Sequence, residues 1–200
     1  MSDTNYVFRE KAADAGAPML LLFHGTGGDE NQFFGLGGQL MPKAQLVAPR
    51  GDVSEMGANR YFRRTGEGRY DMADLARATA KMAGFIDGLR EASKPSLVAG
   101  LGYSNGANIL ASVLLARPEL IERAVLLHPL IPFAPPPAPG LSGRRILISA
   151  GRRDPMAPAD RTLALAEFLT SQGAAVELTW HEGGHDLRQE ELEAARRFLA

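Results

Sequence analysis

Short apolar runs alternate with longer amphipathic stretches along this chain. The runs are Met19–Phe23, Leu46–Ala48, Ser96–Leu101, Ala124–Leu127, Ile146–Ser149 and Val176–Trp180, each of strand length and most closed by Gly, Pro or His. They lack in–out alternation, which predicts strands covered on both faces. Tyr6–Phe8 is a further candidate edge strand. Helical patterns fall between the runs. Asp71 opens one, with Asp74 three residues on as a capping pair, and Met72, Leu75, Thr79, Met82, Ile86 and Leu89 then draw one apolar face. Asn105–Ala116 is a second, stopped by Arg117-Pro118. Pro158–Ser171 is a third, with Pro in its first turn and Gly173 past its end. Arg188–Leu199 is the last, with Leu192, Ala195 and Leu199 facing inward.

Strand–helix–strand alternation predicts an α/β fold, a mostly parallel sheet of about six or seven strands with helices on both faces. With no internal repeat and no linker, residues 1–200 read as a single domain. The stretch from Ile131 to Gly140 holds five prolines, more than a plain strand connection needs. It reads as a stiff loop forming one wall of a pocket. Composition narrows the function classes. The 22 Lys and Arg against 23 Asp and Glu leave a net charge of −1, so no basic field holds nucleic acid or an anionic membrane. The absence of cysteine excludes disulfides, Cys–Zn sites and a thiol nucleophile. Met1–Ala17 lacks the pattern of a targeting signal and no apolar run is long enough to span a bilayer, so a cytoplasmic protein is expected.

The chemistry centres on Gly102-Tyr103-Ser104-Asn105-Gly106, a Gly-x-Ser-x-Gly element between an apolar strand and an Ala-rich helix. That context is what a nucleophile elbow requires: the serine sits on a strained turn with its hydroxyl clear of the sheet. A serine hydroxyl needs a base. Of the four histidines, His185 follows a late strand and comes after Asp154, which follows the strand before it, giving the order Ser, acid, His. His181 is the second candidate base. Asp160, Glu182 and Asp186 are weaker acids, and His128, which precedes Asp154, reads as a satisfied polar residue at a strand end. The Gly-rich loop His24-Gly25-Thr26-Gly27-Gly28 follows the first strong strand. Its expected contribution is the Thr26 amide, which with the Asn105 amide would stabilise an oxyanion. His24 then holds the loop. No Gly-Lys-Ser/Thr or Gly-x-Gly-x-x-Gly element supports a nucleotide site.

At these residues the sequence resembles the α/β-hydrolase superfamily. It is similar, more narrowly, to the small phospholipase/carboxylesterase family, which includes acyl-protein thioesterases. Leu-Leu-Phe-His-Gly-Thr-Gly-Gly-Asp-Glu, Arg-Tyr-Phe-Arg-Arg (60–64), Gly-Tyr-Ser-Asn-Gly-Ala-Asn, His-Pro-Leu-Ile-Pro (128–132) and Gly-Gly-His resemble most a bacterial hydrolase subgroup linked to quinone or metal stress. The resemblance implies Ser104, Asp154 and His185 as a triad, Thr26 and Asn105 as oxyanion donors, and an α/β-hydrolase fold without a large cap. It also implies no metal or organic cofactor, and often a homodimer. Many members carry Gln after the nucleophile, where this chain has Asn105.

The expected activity is hydrolysis of small, short-acyl carboxylic esters by a serine esterase. An acyl thioesterase or lysophospholipase would use the same triad, and a non-enzymatic binding module would ordinarily lack one member of it. A dienelactone-type enzyme normally uses cysteine, which this chain lacks. Arg60, Arg63, Arg64 and Arg69 crowd into ten residues. They read either as a solvated loop or as a clamp on a substrate carboxylate or phosphate, with Arg63 and Arg64 the candidates. Phe62 and Ile131 are candidate apolar pocket walls.

Overall fold

The computed structural model describes residues 5–200; the first four residues of the polar N-terminal stretch lie outside it. In chain order the elements are β1 (Phe8–Lys11), β2 (Met19–Phe23), α1 (Phe34–Leu40), β3 (Gln45–Pro49), β4 (Val53–Glu55), β5 (Ala58–Arg60), β6 (Arg64–Gly66), β7 (Arg69–Tyr70), α2 (Met72–Ser93), β8 (Val98–Tyr103), α3 (Asn105–Ala116), β9 (Arg123–Leu127), β10 (Arg145–Gly151), α4 (Ala159–Ser171), β11 (Ala175–His181) and α5 (Gln189–Leu199). Seven strands form one sheet in the order β1-β3-β2-β8-β9-β10-β11. All neighbours pair in parallel except β1, which runs antiparallel to β3.

The sheet is covered on both sides, as the unalternating apolar runs require. Met19, Leu21 and Phe23 of β2 face the layer of α2, α3 and α4, while Leu20 and Leu22 face α1 and α5. All five are buried. The start of α2 follows the predicted cap: the Asp71 carboxylate accepts the Asp74 N–H at 3.0 Å. On α5, Ala194, Ala195, Phe198 and Leu199 are buried, whereas Leu192 is only partly so.

Three regions differ from the sequence reading. The edge strand begins at Phe8, because Tyr6 turns into the core and packs edge-on against Phe85, centroids 5.4 Å apart. Helix α1 forms despite three glycines because a bare backbone is what fits there: a side chain on Gly37 would collide with Leu22 of β2. The hairpins β4–β5 and β6–β7 have strands of two or three residues, too short to show a period in sequence. They occupy the long connection from β3 to α2. No large cap interrupts the described residues.

Candidate active site

In a parallel sheet, functional loops gather at the C-terminal ends of the strands, next to the point where connections diverge to opposite sides. Here β2 leads outward to β3 and the chain then returns to β8 on its other flank, so the divergence lies between β2 and β8. The loops after β2, β8, β9, β10 and β11 bring Thr26, Ser104, His128, Asp154 and His185 to that edge.

Ser104 follows β8 directly and has φ 52° and ψ −117°, a conformation that side chains rarely adopt. Its N–H is fixed to the Leu127 carbonyl of β9 at 2.9 Å. The start of α3 lies backbone-to-backbone against the end of β2: a Cβ on Gly106 would overlap the carbonyl oxygens of Phe23 and His24. The motif glycine is therefore a packing requirement, and the strained turn presents the serine hydroxyl to the His185 ring. His185 Nε2 lies 2.9 Å from Ser104 Oγ, and His185 Nδ1 lies 2.7 Å from Asp154 Oδ2. An ionised carboxylate only accepts, so Nδ1 carries the proton and Nε2 is free to take the one on the serine. Tyr103 steadies the same loop by donating its hydroxyl to the His185 carbonyl at 2.8 Å.

Asp154 is buried and saturated. Its Oδ1 accepts the N–H groups of Met156 at 2.8 Å and Ala157 at 3.0 Å. Its Oδ2 accepts from His185 and also from His128 Nδ1, each at 2.7 Å. Burial alone would raise its pKa, but these hydrogen bonds hold it well below the usual carboxylate range. His128 then reaches Glu191 of α5 through Nε2, 3.2 Å from one carboxylate oxygen and 3.3 Å from the other. Burial opposes the charged ring, yet the bonds to Asp154 and Glu191 prevail and raise its pKa to about 9. Glu191, lowered by His128 and Ser149 against the effect of burial, also accepts the Arg188 N–H at 2.8 Å.

His181 is distant from the nucleophile in this network. Its Nδ1 accepts the Gly183 N–H at 3.0 Å, which puts the proton on Nε2, 3.3 Å from Glu191. His128, His181 and Glu191 are close enough to suggest metal ligands. However, His181 would have to coordinate through Nε2, and the Gly183 bond leaves that atom a proton rather than a lone pair.

The loop after β2 is held by polar contacts from several directions. His24 accepts the Gly51 N–H on Nε2 at 2.9 Å, while its Nδ1 lies 2.7 Å from the Gly25 carbonyl. Gln32 accepts the Gly25 N–H at 2.8 Å. The buried Arg60 donates to Thr26 Oγ1 at 2.7 Å. Asn105 Oδ1 accepts the Tyr61 N–H at 2.8 Å, tying the first residue of α3 to the same region. Thr26 and Asn105 both border the cavity that contains Ser104 and His185.

That cavity, of about 460 Å³, is also lined by Arg60, Arg64, Arg69 and Arg161, with Glu67 the only acidic group on its wall. Arg63 points to solvent and Phe62 is fully buried in the core, so neither lines it. Ile131 borders a second, apolar pocket of about 340 Å³ with Phe133, Leu165 and Phe168. The two share Pro132 and Arg161, so the proline-rich segment does form a wall. Asn108, not singled out from sequence, accepts the Leu130 N–H and donates to the Tyr70 hydroxyl, each at 2.7 Å. Its place in the Gly-Tyr-Ser-Asn-Gly-Ala-Asn run, one helical turn after Ser104, was the available signal. Arg161 gave none, since a lone arginine on α4 resembles any solvated helix residue.

The strand order, the strained serine and the position of each loop define an α/β-hydrolase. The chain belongs to the dienelactone hydrolase family, whose model matches residues 61–193. The cysteine expected of a dienelactone-type enzyme is absent from this chain. The chain is 38% identical over 182 residues to "Putative hydrolase MhqD" of Bacillus subtilis, covering 90% of this chain and 91% of that one. It resembles the structure of Atu2452, a protein of unknown function from Agrobacterium tumefaciens, at 55% identity and a TM-score of 0.91, covering 98% and 96% of the two chains. It resembles a Bacillus cereus carboxylesterase at 35% identity and a TM-score of 0.90, covering 97% and 92%. These matches mark the chain as a hydrolase with carboxylesterase-like structural relatives. No helix among the described residues is long and apolar enough to cross a membrane.

Proposed function

We propose that the protein is a serine carboxylesterase acting on small carboxylic esters. The observation that carries this reading is the 2.9 Å contact between Ser104 Oγ and His185 Nε2, backed by the 2.7 Å contact from His185 Nδ1 to Asp154. Ser104 attacks the ester carbonyl as His185 takes its proton. Asp154 holds the ring in the required tautomer and stabilises the imidazolium. The Thr26 and Asn105 amides receive the oxyanion. The tetrahedral intermediate collapses, His185 returns the proton to the leaving alkoxide, and the alcohol departs. Water then attacks the acyl-enzyme with His185 as base, releasing the acid and restoring the serine.

The cavity also supports a charge preference. Four arginines surround the nucleophile, and among the described residues Arg69 and Arg161 have no acidic partner. Arg64 is engaged by Glu55 at 2.9 Å. Esters bearing a carboxylate or phosphate fit this wall, since guanidinium binds such oxyanions in a bidentate fork. Of the clamp expected at Arg63 and Arg64, Arg63 faces away from the cavity and Arg64 is paired, so Arg69 and Arg161 are the candidates for this role.

The test is hydrolysis of p-nitrophenyl esters from two to twelve carbons by wild type and Ser104→Ala. Short esters should be cleaved, with a loss of about 10⁴-fold or more in kcat for the variant. Preference for long acyl chains or acyl thioesters would move the assignment to lysophospholipase or thioesterase. Turnover that survives Ser104→Ala would rule the mechanism out.

A further inference from the structure

We propose that His128, held as an imidazolium between Asp154 and Glu191, is a positioning residue whose charge sets the acidic limit of catalysis. The inference rests on the serine-esterase reading above and adds a member that the reaction scheme itself does not require.

Geometry carries the argument. His128 follows β9 directly and has φ 52°, which turns the ring under the catalytic loops. Its N–H donates to the Ser149 carbonyl of β10 at 2.7 Å, fixing that turn. Both ring nitrogens face carboxylates: Nδ1 meets Asp154 at 2.7 Å and Nε2 meets Glu191 at 3.2 Å, with no side-chain exposure of His128. His181 Nε2 also approaches His128 Nε2, at 3.5 Å, but the Glu191 carboxylate is nearer, and a proton on Nε2 satisfies that contact while Nδ1 satisfies Asp154. Glu191 is itself held by Ser149 at 2.7 Å and by the Arg188 N–H. The other groups facing His128 are Tyr103 from β8, His181 from β11 and His185, whose ring centroid lies 5.1 Å away. None of these supplies another anion.

The consequence concerns His185. An isolated Asp–His pair favours the protonated histidine, which cannot act as a base. Here a fixed positive charge shares the same carboxylate oxygen, its ring centroid 5.1 Å from that of His185. It offsets the attraction of Asp154 for a second proton on His185 and keeps the base available at lower pH. His128 thereby acts through Asp154 and never meets the substrate's reacting atoms.

Two measurements on the whole protein test this. The first is ¹⁵N-histidine NMR between pH 5 and 10 for wild type and Glu191→Gln. His128 should keep both ring protons above pH 8 in wild type, and lose one at least one pH unit earlier in the variant. The second is the pH dependence of Ser104 labelling by a fluorophosphonate in wild type and His128→Asn. Asparagine tolerates the left-handed backbone and retains an N–H donor, but carries no charge. The acidic limb should move up by about one to two pH units. A neutral His128 ring at pH 7 would overturn the proposal, as would an unmoved limb in folded His128→Asn. If that variant does not fold, the NMR comparison decides. A labelled Ser104 with an unmoved limb defeats this proposal alone. A Ser104 inert at every pH defeats the serine-esterase reading and this proposal together.

Discussion

His128 and His185 share a single acceptor: the Nδ1 atoms of both rings lie 2.7 Å from Asp154 Oδ2. One oxygen therefore serves two rings, one facing Ser104 at the cavity and one with a fully buried side chain.

The buried ring makes stability pH-dependent in a defined direction. The folded pKa of His128, about 9, lies above the ordinary value of 6.5. Its contribution is fully present below pH 6.5 and is lost as pH rises through 9. Asp154 and Glu191 are shifted down, so theirs is present above the ordinary carboxylate range and lost in acid. The melting temperature should peak between about pH 5 and 6.5 and fall toward pH 9, by up to about 3 kcal/mol of stability from His128. Calorimetry across that range checks it. His128→Asn should flatten the alkaline slope, and a wild type equally stable at pH 6 and 9 would contradict a charged ring.

The arginine wall predicts selectivity rather than rate. Arg161→Gln and Arg69→Gln should reduce kcat/KM for p-nitrophenyl hemisuccinate by about tenfold, a loss near 1.4 kcal/mol, and leave p-nitrophenyl butyrate within about twofold. High salt should weaken the same preference. Equal effects on both esters would remove the arginines from substrate binding.

Asn108 holds the pocket wall from inside. Replacing it by alanine leaves the Leu130 N–H without its acceptor, at a cost of about 1–3 kcal/mol, and takes from the Tyr70 hydroxyl one of its two contacts, that to the Leu130 carbonyl at 2.6 Å remaining. In Asn108→Ala, KM should rise several-fold with a smaller change in kcat, read from steady-state kinetics beside a thermal melt. An unchanged KM would place the wall elsewhere.

Gly151 joins the acid and base loops. A Cβ there would overlap the carbonyl oxygens of Gly183 and Gly184, in the turn just before His185. Gly151→Ala should therefore displace His185 and lower kcat by at least about tenfold, with destabilisation of about 1–3 kcal/mol. Full activity in that variant would mean that the loop yields without moving the ring.

That Ser104, Asp154 and His185 come together could be read from the chain because each follows closely on a strand of the parallel sheet. Ser104 carries its own marker in flanking glycines, and Asp154 and His185 follow the next strands in the required order. Strand identities held for the same reason, with ends displaced by a residue or two where polar residues such as Arg123 and Arg145 continue the ladder. What sequence did not reveal depends on side-chain direction or on distant pairing. Arg60 is buried and Arg63 exposed although both sit in one basic cluster. In sequence His128 reads as a satisfied strand-end residue. It is satisfied, but its partner is the acid Asp154 itself. Glu191 looks like a helix-start carboxylate, and only the packing of α5 beneath β10 aims it at His128.

The sheet's outermost parallel strand, β11, has a ladder partner on one side only, β10. It ends at His181 and leads straight into the turn bearing His185. Edge segments are the first to fray in native-state fluctuations. A brief detachment of this margin would carry His185 away while Ser104, at the end of β8 three strands inward, stays in place. Thermal inactivation should then begin below the global melting transition, with amide exchange in β11 as its early sign.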